Sequence, residues 1–587
     1  MGEFKKSRKK KRDLVRLNDE IDARSIIVVQ GEMGSGKSHL LRHLGRQFAS
    51  LELLATRKLV PVHVTYRRLV DEFNGSINEC IDYLIGDAID DLDSQSHRII
   101  LLVDGIDEVQ SDDESNDAIE QIATQINARP NTKAIVTTRP SSLTNGKEYS
   151  ISGLRQVEIK PLTTGKIIQF IKETLRNRNL PARLVEDVNN SDLFKQLPQN
   201  PIAAQLLTRL LLEGRDELPQ TMAELYGKSM ELMLGRWDEQ KGLASQQEYD
   251  VARRVFYRLA RTALLDRVDV FGRSVVTTEL DAYLSERNLV VDKRLVEARI
   301  FERSGVMYSD ESSGQIGFRH RSFAEYLFAE SFKDQADLGE KPHPYRAYWA
   351  NTYFFWIGIK RDCEAELRRI LATPCADEDE RIGRMFCIPE YLMAGHMTPY
   401  GITRTAVGNL LLEAAEMYVD VLSGKMKTPL AVFSPMRLLW LFTTVIRHRY
   451  GYKFFLPALE EAATDICQSI ASPDKKAAAM FFAAVTANDL GKSAAFDLML
   501  EEFKSELLPL PISLAIEAET EQLDKGRITT AVKAFGKRMK RSLSASALSK
   551  RKIEQLFHDP ISPDAAEEMR KQNQKTKKSR NHHKSSN

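Results

Sequence analysis

Gly31-Glu32-Met33-Gly34-Ser35-Gly36-Lys37-Ser38 is a complete G-x-x-x-x-G-K-S, and its flanks decide how it folds. The β-rich run Ser25–Gln30 precedes it and the helical pattern His39–Phe48 follows. In a strand–loop–helix of this kind the glycines let backbone N–H groups curl around phosphates. Lys37 reaches the β/γ oxygens, Ser38 can ligate Mg²⁺, and the helix N-terminus adds its dipole. The loop therefore predicts a bound ATP or ADP with Mg²⁺, held by residues 31–38.

About 65 residues further on comes Ile99-Ile100-Leu101-Leu102-Val103-Asp104-Gly105-Ile106-Asp107-Glu108. Five apolar residues in a row, ending in an acidic turn, read as a strand of a parallel sheet buried on both faces. Three carboxylates in five positions are costly unless something positive sits among them. Ligands of open α/β sheets bind at the carboxyl ends of strands, and a Mg-nucleotide supplies the positive charge there. Asp104 is the candidate for holding Mg²⁺ through water, with Ser38 as direct ligand.

Outward from these two motifs, strands and helices alternate between about Ser25 and Leu162. Candidate strands are Ser25–Gln30, Leu59–Thr65, Arg98–Val103, Lys133–Thr138 and Gln156–Ile159, with helical patterns at Asn116–Ala128 and around Ile77–Ala88. This alternation predicts a three-layer, mainly parallel α/β sheet. Pro61 inside the second strand argues against a central place for it. After Pro161 strands stop. Thr163/Thr164 cap a helix through Arg176, Leu184–Leu197 and Ile202–Leu212 continue, and amphipathic patterns run over Met222–Trp237 and Tyr249–Leu265. Short helices, a hairpin-like stretch at Met307–Gly317 and a helix from Ser322 suggest a winged helix. From Arg346 to about Leu556 the pattern is helical, with no fixed repeat period.

Composition narrows the classes. At 587 residues the chain holds three to five structural units. Its five cysteines (Cys80, Cys363, Cys375, Cys387, Cys467) form no C-x-x-C pair, which argues against zinc ribbons and disulfide frameworks and fits a reducing cytosol. The basic first residues lack an apolar signal core, and the longest apolar runs, such as Ala477–Val485, are too short to span a bilayer. A cytoplasmic protein without a transmembrane segment is the expectation. Charge is uneven: residues 1–12 carry +6 and residues 570–587 carry +7, so a total of +2 leaves the body at −11. Basic ends of this kind serve solubility or contact nucleic acid or an anionic membrane; no aromatics are interleaved for base stacking. No hydrolase triad, H-E-x-x-H or paired metal-binding cysteines are present.

The loop 31–38 and the Asp104-Gly105-x-Asp107-Glu108 strand end, taken with later landmarks, resemble a NACHT-type NTPase. These belong to the STAND class of signal-transduction ATPases, related to NOD-like receptors. Ile135-Val136-Thr137-Thr138-Arg139-Pro140 is similar to the family's strand ending in a sensor arginine. Asn200-Pro201 sits where the family has a proline near the adenine, and Leu218-Pro219 with Leu225-Tyr226 resembles the start of its next helical unit. Phe318-Arg319-His320-Arg321-Ser322-Phe323-Ala324-Glu325-Tyr326 looks like the family's F-x-H-x-x-F-x-E-Y signature. The resemblance covers about residues 25–335.

It implies a basic tail over 1–24, an NTPase domain over 25–162, a helical domain over 163–215 and a winged-helix region over 216–338. An all-α, sensor-like region over 339–556 and a disordered basic tail over 557–587 would follow. It also implies that Asp107 or Glu108 activates water, because Gly105 offers no side chain for that task. Arg139 would sense the γ-phosphate, Pro201 would touch adenine, and His320 would approach the β-phosphate of ADP and latch a closed state. Each has a plainer alternative: a solvated loop charge for Glu108, a surface arginine, a helix break, a structural histidine.

The implied function is an ADP/ATP-controlled oligomerisation switch with slow, regulatory ATP hydrolysis. It would self-associate on activation by an unidentified trigger, such as a phage-derived protein or nucleic acid, with an effector supplied in trans. With only about 24 residues before the first strand, a bacterial member in antiphage defence is expected, although a start codon placed too late would equally explain the short front. Two rival readings remain: a nucleic-acid-stimulated motor or remodelling ATPase using the basic tails, and a scaffold whose nucleotide is structural.

Overall fold

The computed structural model describes residues 17–31, 35–86, 97–106, 112–129, 131–138, 154–160, 162, 164–174, 201–212, 219, 221–234, 243–268, 270–303, 306–310, 315–426, 428–469, 471–503, 508–522 and 555–564. They divide into two compact units at Arg361/Asp362.

The first unit opens with helix α1 (Leu17–Ala23) and strand β1 (Ile26–Gln30), followed by α2 (Lys37–Phe48), α3 (Leu51–Arg57), β2 (Leu59–Thr65), α4 (Tyr66–Phe73) and α5 (Ile77–Ile85). Then come β3 (Arg98–Asp104), α6 (Asp112–Ala128), β4 (Thr132–Thr138) and β5 (Leu154–Glu158). The strands form one parallel sheet in the order β2-β3-β4-β1-β5. The alternation within each strand fills two cores. Ile26 and Val28, Leu101 and Val103, Ala134 and Val136 face one layer, built from α4, α5 and α6. Ile27 and Val29, Ile100 and Leu102, and Ile135 face the other, built from α1 and α2. That is why β1 and β3 read as unbroken apolar runs, and it gives the three layers expected. Pro61 lies on the edge strand β2, where a missing N–H is tolerated. Ser76 opens α5 as a capping residue, its hydroxyl accepting from the Glu79 N–H at 3.3 Å.

After the sheet the first unit continues with α7 (Thr164–Thr174), α8 (Pro201–Leu212), α9 (Met222–Met233) and α10 (Leu243–Leu265). The helix expected over 184–197 lies outside the described residues. Next are β6 (Val270–Gly272), α11 (Arg273–Arg287), α12 (Lys293–Ala298), β7 (Met307–Asp310), β8 (Gln315–Phe318), α13 (Arg321–Ser331) and α14 (Ala347–Lys360). β6, β8 and β7 form an antiparallel sheet in that order, so the expected hairpin gains a third strand too short to show a period-two pattern. α13 is buried from Ser322 to Glu330 and packs on α10 and α14.

Glu330 anchors that packing. It accepts from Arg253 (Nε to Oε2, 3.0 Å), Tyr257 (2.9 Å) and Tyr326 (3.0 Å). Tyr226 of α9 donates to Ser322 at 2.9 Å. In the signature around residue 320, Phe323 and Tyr326 are therefore core residues.

The second unit is helical, as expected: α15 (Glu364–Ala372), α16 (Glu378–Ala394), α17 (Tyr400–Leu422), α18 (Pro435–Tyr450), α19 (Leu456–Gln468), α20 (Pro473–Asp489), α21 (Ala494–Glu502) and α22 (Leu510–Gln522). α20 is buried continuously from Ala477 to Asn488 and packs on α17, α19, α21 and α18. The Ala477–Val485 run is thus a central core helix, with alanines that let neighbours approach closely. Residues 557–564, assigned above to the basic tail, are held in place by backbone bonds. The Ile561 and Ser562 N–H groups donate to the Phe433 and Ala431 carbonyls at 3.0 and 2.9 Å. Among the described residues no helix is long and apolar enough to cross a membrane.

Candidate functional site

The phosphate loop joins β1 to α2 at the carboxyl edge of the sheet. Gly31 continues the strand, its N–H donating to the Thr138 carbonyl at 3.2 Å. A Cβ on Gly31 would lie 2.4 Å from Ser35 Oγ and 3.2 Å from its Cβ, so a larger residue here would force the Ser35 side chain to move. Gly36 caps α2 with φ +93°, a left-handed conformation that glycine adopts without strain, and makes no side-chain cap bond. A helix start capped by glycine presents backbone N–H groups and the positive end of its dipole toward the loop, where a phosphate can accept. Lys37 Nζ donates to the Gly31 carbonyl at 2.6 Å, tying the end of the loop to its start. Ser35 Oγ and Gln30 Nε2 are buried without a partner among the described residues. An orphaned hydroxyl inside a loop of this shape fits a bound phosphate, which would accept its proton.

Asp104 ends β3. The register that pairs Val103 with Val136 sets Asp104 opposite Thr137 of β4. Thr137 Oγ1 donates to Asp104 Oδ1 at 2.6 Å and accepts from the Gly105 N–H at 2.9 Å. By strand alternation Asp104 follows Ile100 and Leu102 onto the face covered by α2, the helix that carries Lys37 and Ser38. The residues fit a Mg-nucleotide: Ser38 and Asp104 would hold the metal, which neutralises phosphate charge when bound.

Pro201, the first residue of α8, stands beside the loop: its Cγ lies 3.5 Å from where a Cβ of Gly36 would be. His320 sits just before α13, its ring 5.7 Å from that of Phe323. Burial pushes the imidazole down to about 4, helped by the positive charges of Arg42, Arg319 and His39. His39 and Arg42 belong to α2, so charges on the loop's own helix act on a residue about 280 positions later in the sequence.

Gly31, Ser35, Gly36, Lys37 and Ser38 therefore share one sheet edge with Asp104, with Pro201 beside the loop and His320 near its helix. Glu32, Met33, Gly34, Asp107, Glu108 and Arg139 lie outside the described residues. Thr137, His39, Arg42 and Arg319 were given no role by sequence reasoning. The one available signal was a hydroxyl in β4 directly across from Asp104, which needs the strand register to be read.

Fold and loop together define a P-loop NTPase. Residues 25–178 match the family model of the NACHT domain, and residues 390–565 match that of NACHT C-terminal Helical domain 1. The two matches support a NACHT NTPase. Comparison with curated proteins gave no match. Among solved structures, the Aeropyrum pernix ORC1 protein in complex with DNA is similar at 17% identity over 52% of this chain and 86% of that one, with a TM-score of 0.26. The Aeropyrum pernix ORC2 protein (ADPNP-ADP complexes) is similar at 10% identity, covering 54% and 91%, with a TM-score of 0.25. Drosophila ORC bound to DNA is similar at 11% identity, covering 53% and 83%, also with a TM-score of 0.25. At these scores the likenesses carry no functional argument.

Proposed function

We propose that the protein is a STAND-type switch that hydrolyses ATP slowly and is held closed by ADP, with His320 as the latch. What supports this reading is the loop itself, with the orphaned Ser35 hydroxyl and Pro201 beside Gly36, and a largely buried His320 that feels the charges of Arg42 and His39 on the loop's helix. Burial and the positive charges of Arg42, Arg319 and His39 hold His320 neutral, and those charges suit an anion such as a β-phosphate on the loop, to which the imidazole could donate. Pro201 would rest against the adenine. Asp107 or Glu108 would orient water, and Arg139 would sense the γ-phosphate. Exchange of ADP for ATP would release His320, free α13 and the helices packed on it, and permit self-assembly. Moving such a switch from about 1:99 to 99:1 requires roughly 5.5 kcal/mol of differential binding. The γ-phosphate contacts and the lost His320 contact must supply much of it.

The setting we propose is signal transduction in bacterial antiphage defence, with the trigger sensed by the second unit and an effector in trans; this step rests on analogy with NACHT proteins. The test is the release of a fluorescent ADP from wild type and His320→Ala. The latch predicts release faster by roughly tenfold or more, since one lost charge-assisted bond removes 1.5–3 kcal/mol. Equal release rates would exclude it.

A further inference from the structure

We propose that Thr137 is a positioning residue for the metal-binding carboxylate, acting on Asp104 and not on the nucleotide. The proposal rests on the reading of Asp104 as the group that holds Mg²⁺. Thr137 is wholly buried in a strand whose preceding residues, Ala134, Ile135 and Val136, are all apolar. A hydroxyl there is costly unless both its donor and its acceptor capacity are used. Both are used, on two consecutive residues at the end of the neighbouring strand, Asp104 and Gly105. The hydroxyl donates to Asp104 Oδ1 and accepts from the Gly105 N–H.

Those bonds span the point where the chain leaves β3. Gly105 turns with φ +75°, so the chain leaves β3 toward Ile106 at the point that Thr137 holds. One hydroxyl thus fixes the rotamer of the carboxylate, commits Oδ1, and leaves Oδ2 outside that bond. Thr138, its neighbour, is equally buried but alternates to the opposite face, with Val136 and away from Asp104. Nothing in the G-x-x-x-x-G-K-S or acidic motifs points to residue 137. Partners that orient a metal's ligands typically change metal affinity 10–100-fold when removed.

The experiment measures binding of a non-hydrolysable fluorescent ATP analogue to the full chain in EDTA and across a Mg²⁺ titration. Thr137→Val keeps the shape and removes the hydroxyl; Thr137→Ser returns the hydroxyl. The expected result is a Mg²⁺ half-saturation raised roughly tenfold or more in Thr137→Val. Affinity in EDTA should stay near the wild-type value, and Thr137→Ser should restore most of the Mg²⁺ response. An unchanged Mg²⁺ response in Thr137→Val overturns the proposal, as does a loss equal with and without Mg²⁺. If Thr137→Val does not fold, Thr137→Cys, a weak donor of similar volume, takes its place with the same outcomes. Wild-type protein that binds the analogue without any Mg²⁺ response would overturn the metal site itself, and the proposal with it.

Discussion

Acidification from about pH 7 to about pH 5 should destabilise wild-type protein more than its His320→Asn variant, because His320 is neutral in the fold. Its imidazole is held at about 4 against an ordinary 6.5, chiefly by burial and then by Arg42, Arg319 and His39. Below 6.5 the unfolded chain takes up a proton that the folded chain refuses down to about 4. The contribution of the neutral ring is therefore complete above 6.5 and is lost as the pH falls through that window. Over the two-unit drop the loss is about 2 kcal/mol, and it approaches about 3 kcal/mol below pH 4. The asparagine removes the titrating group, so subtracting its pH profile cancels every other acid and base. The assay is urea unfolding of both proteins at each pH, at high and low salt. High salt should trim the share from Arg42, Arg319 and His39 but leave the burial share. Bound ADP should flatten the wild-type profile, since a phosphate beside the ring favours its proton. Equal pH profiles in the two proteins would refute both the buried neutral ring and the charge coupling to α2 built on it.

Two further perturbations follow from the packing. Gly31→Ala places a methyl 2.4 Å from Ser35 Oγ and 3.2 Å from its Cβ, so the Ser35 side chain must shift inside the loop; nucleotide affinity by calorimetry should fall by up to roughly tenfold, or about 1.4 kcal/mol. Glu330→Ala leaves Arg253 without its buried partner and strips the acceptor from Tyr257 and Tyr326. Stability in urea should drop by about 3–5 kcal/mol, and a loss below about 1 kcal/mol would show that the network is not what joins α13 to α10.

The sheet was legible because both of its signals are local. Unbroken apolar runs mark β1 and β3, and the loop's glycines mark the turn between β1 and α2. The edge place of β2 was half legible, through Pro61. The three-residue β6 was not, since a strand so short carries no pattern and is defined by its partner β8. The same limit applies to the site. Lys37, Ser38 and Asp104 announce themselves by spacing, whereas Thr137 acquires its contacts only from the β3–β4 register. His320 could be singled out by family resemblance alone. The charges of His39 and Arg42 that act on it could not, because residues so far apart in sequence are brought within electrostatic range only by tertiary folding. In the signature that contains His320, the surrounding Phe323 and Tyr326 proved to be core residues, a reminder that one motif can carry packing and chemistry side by side.

The central claim, that nucleotide state sets assembly state, is tested most directly by particle mass. Wild type saturated with ADP is compared with His320→Ala saturated with a non-hydrolysable ATP analogue, at equal concentration by mass photometry. The account predicts a single chain in the first sample and a larger closed or filamentous assembly in the second. The same mass in both would contradict it.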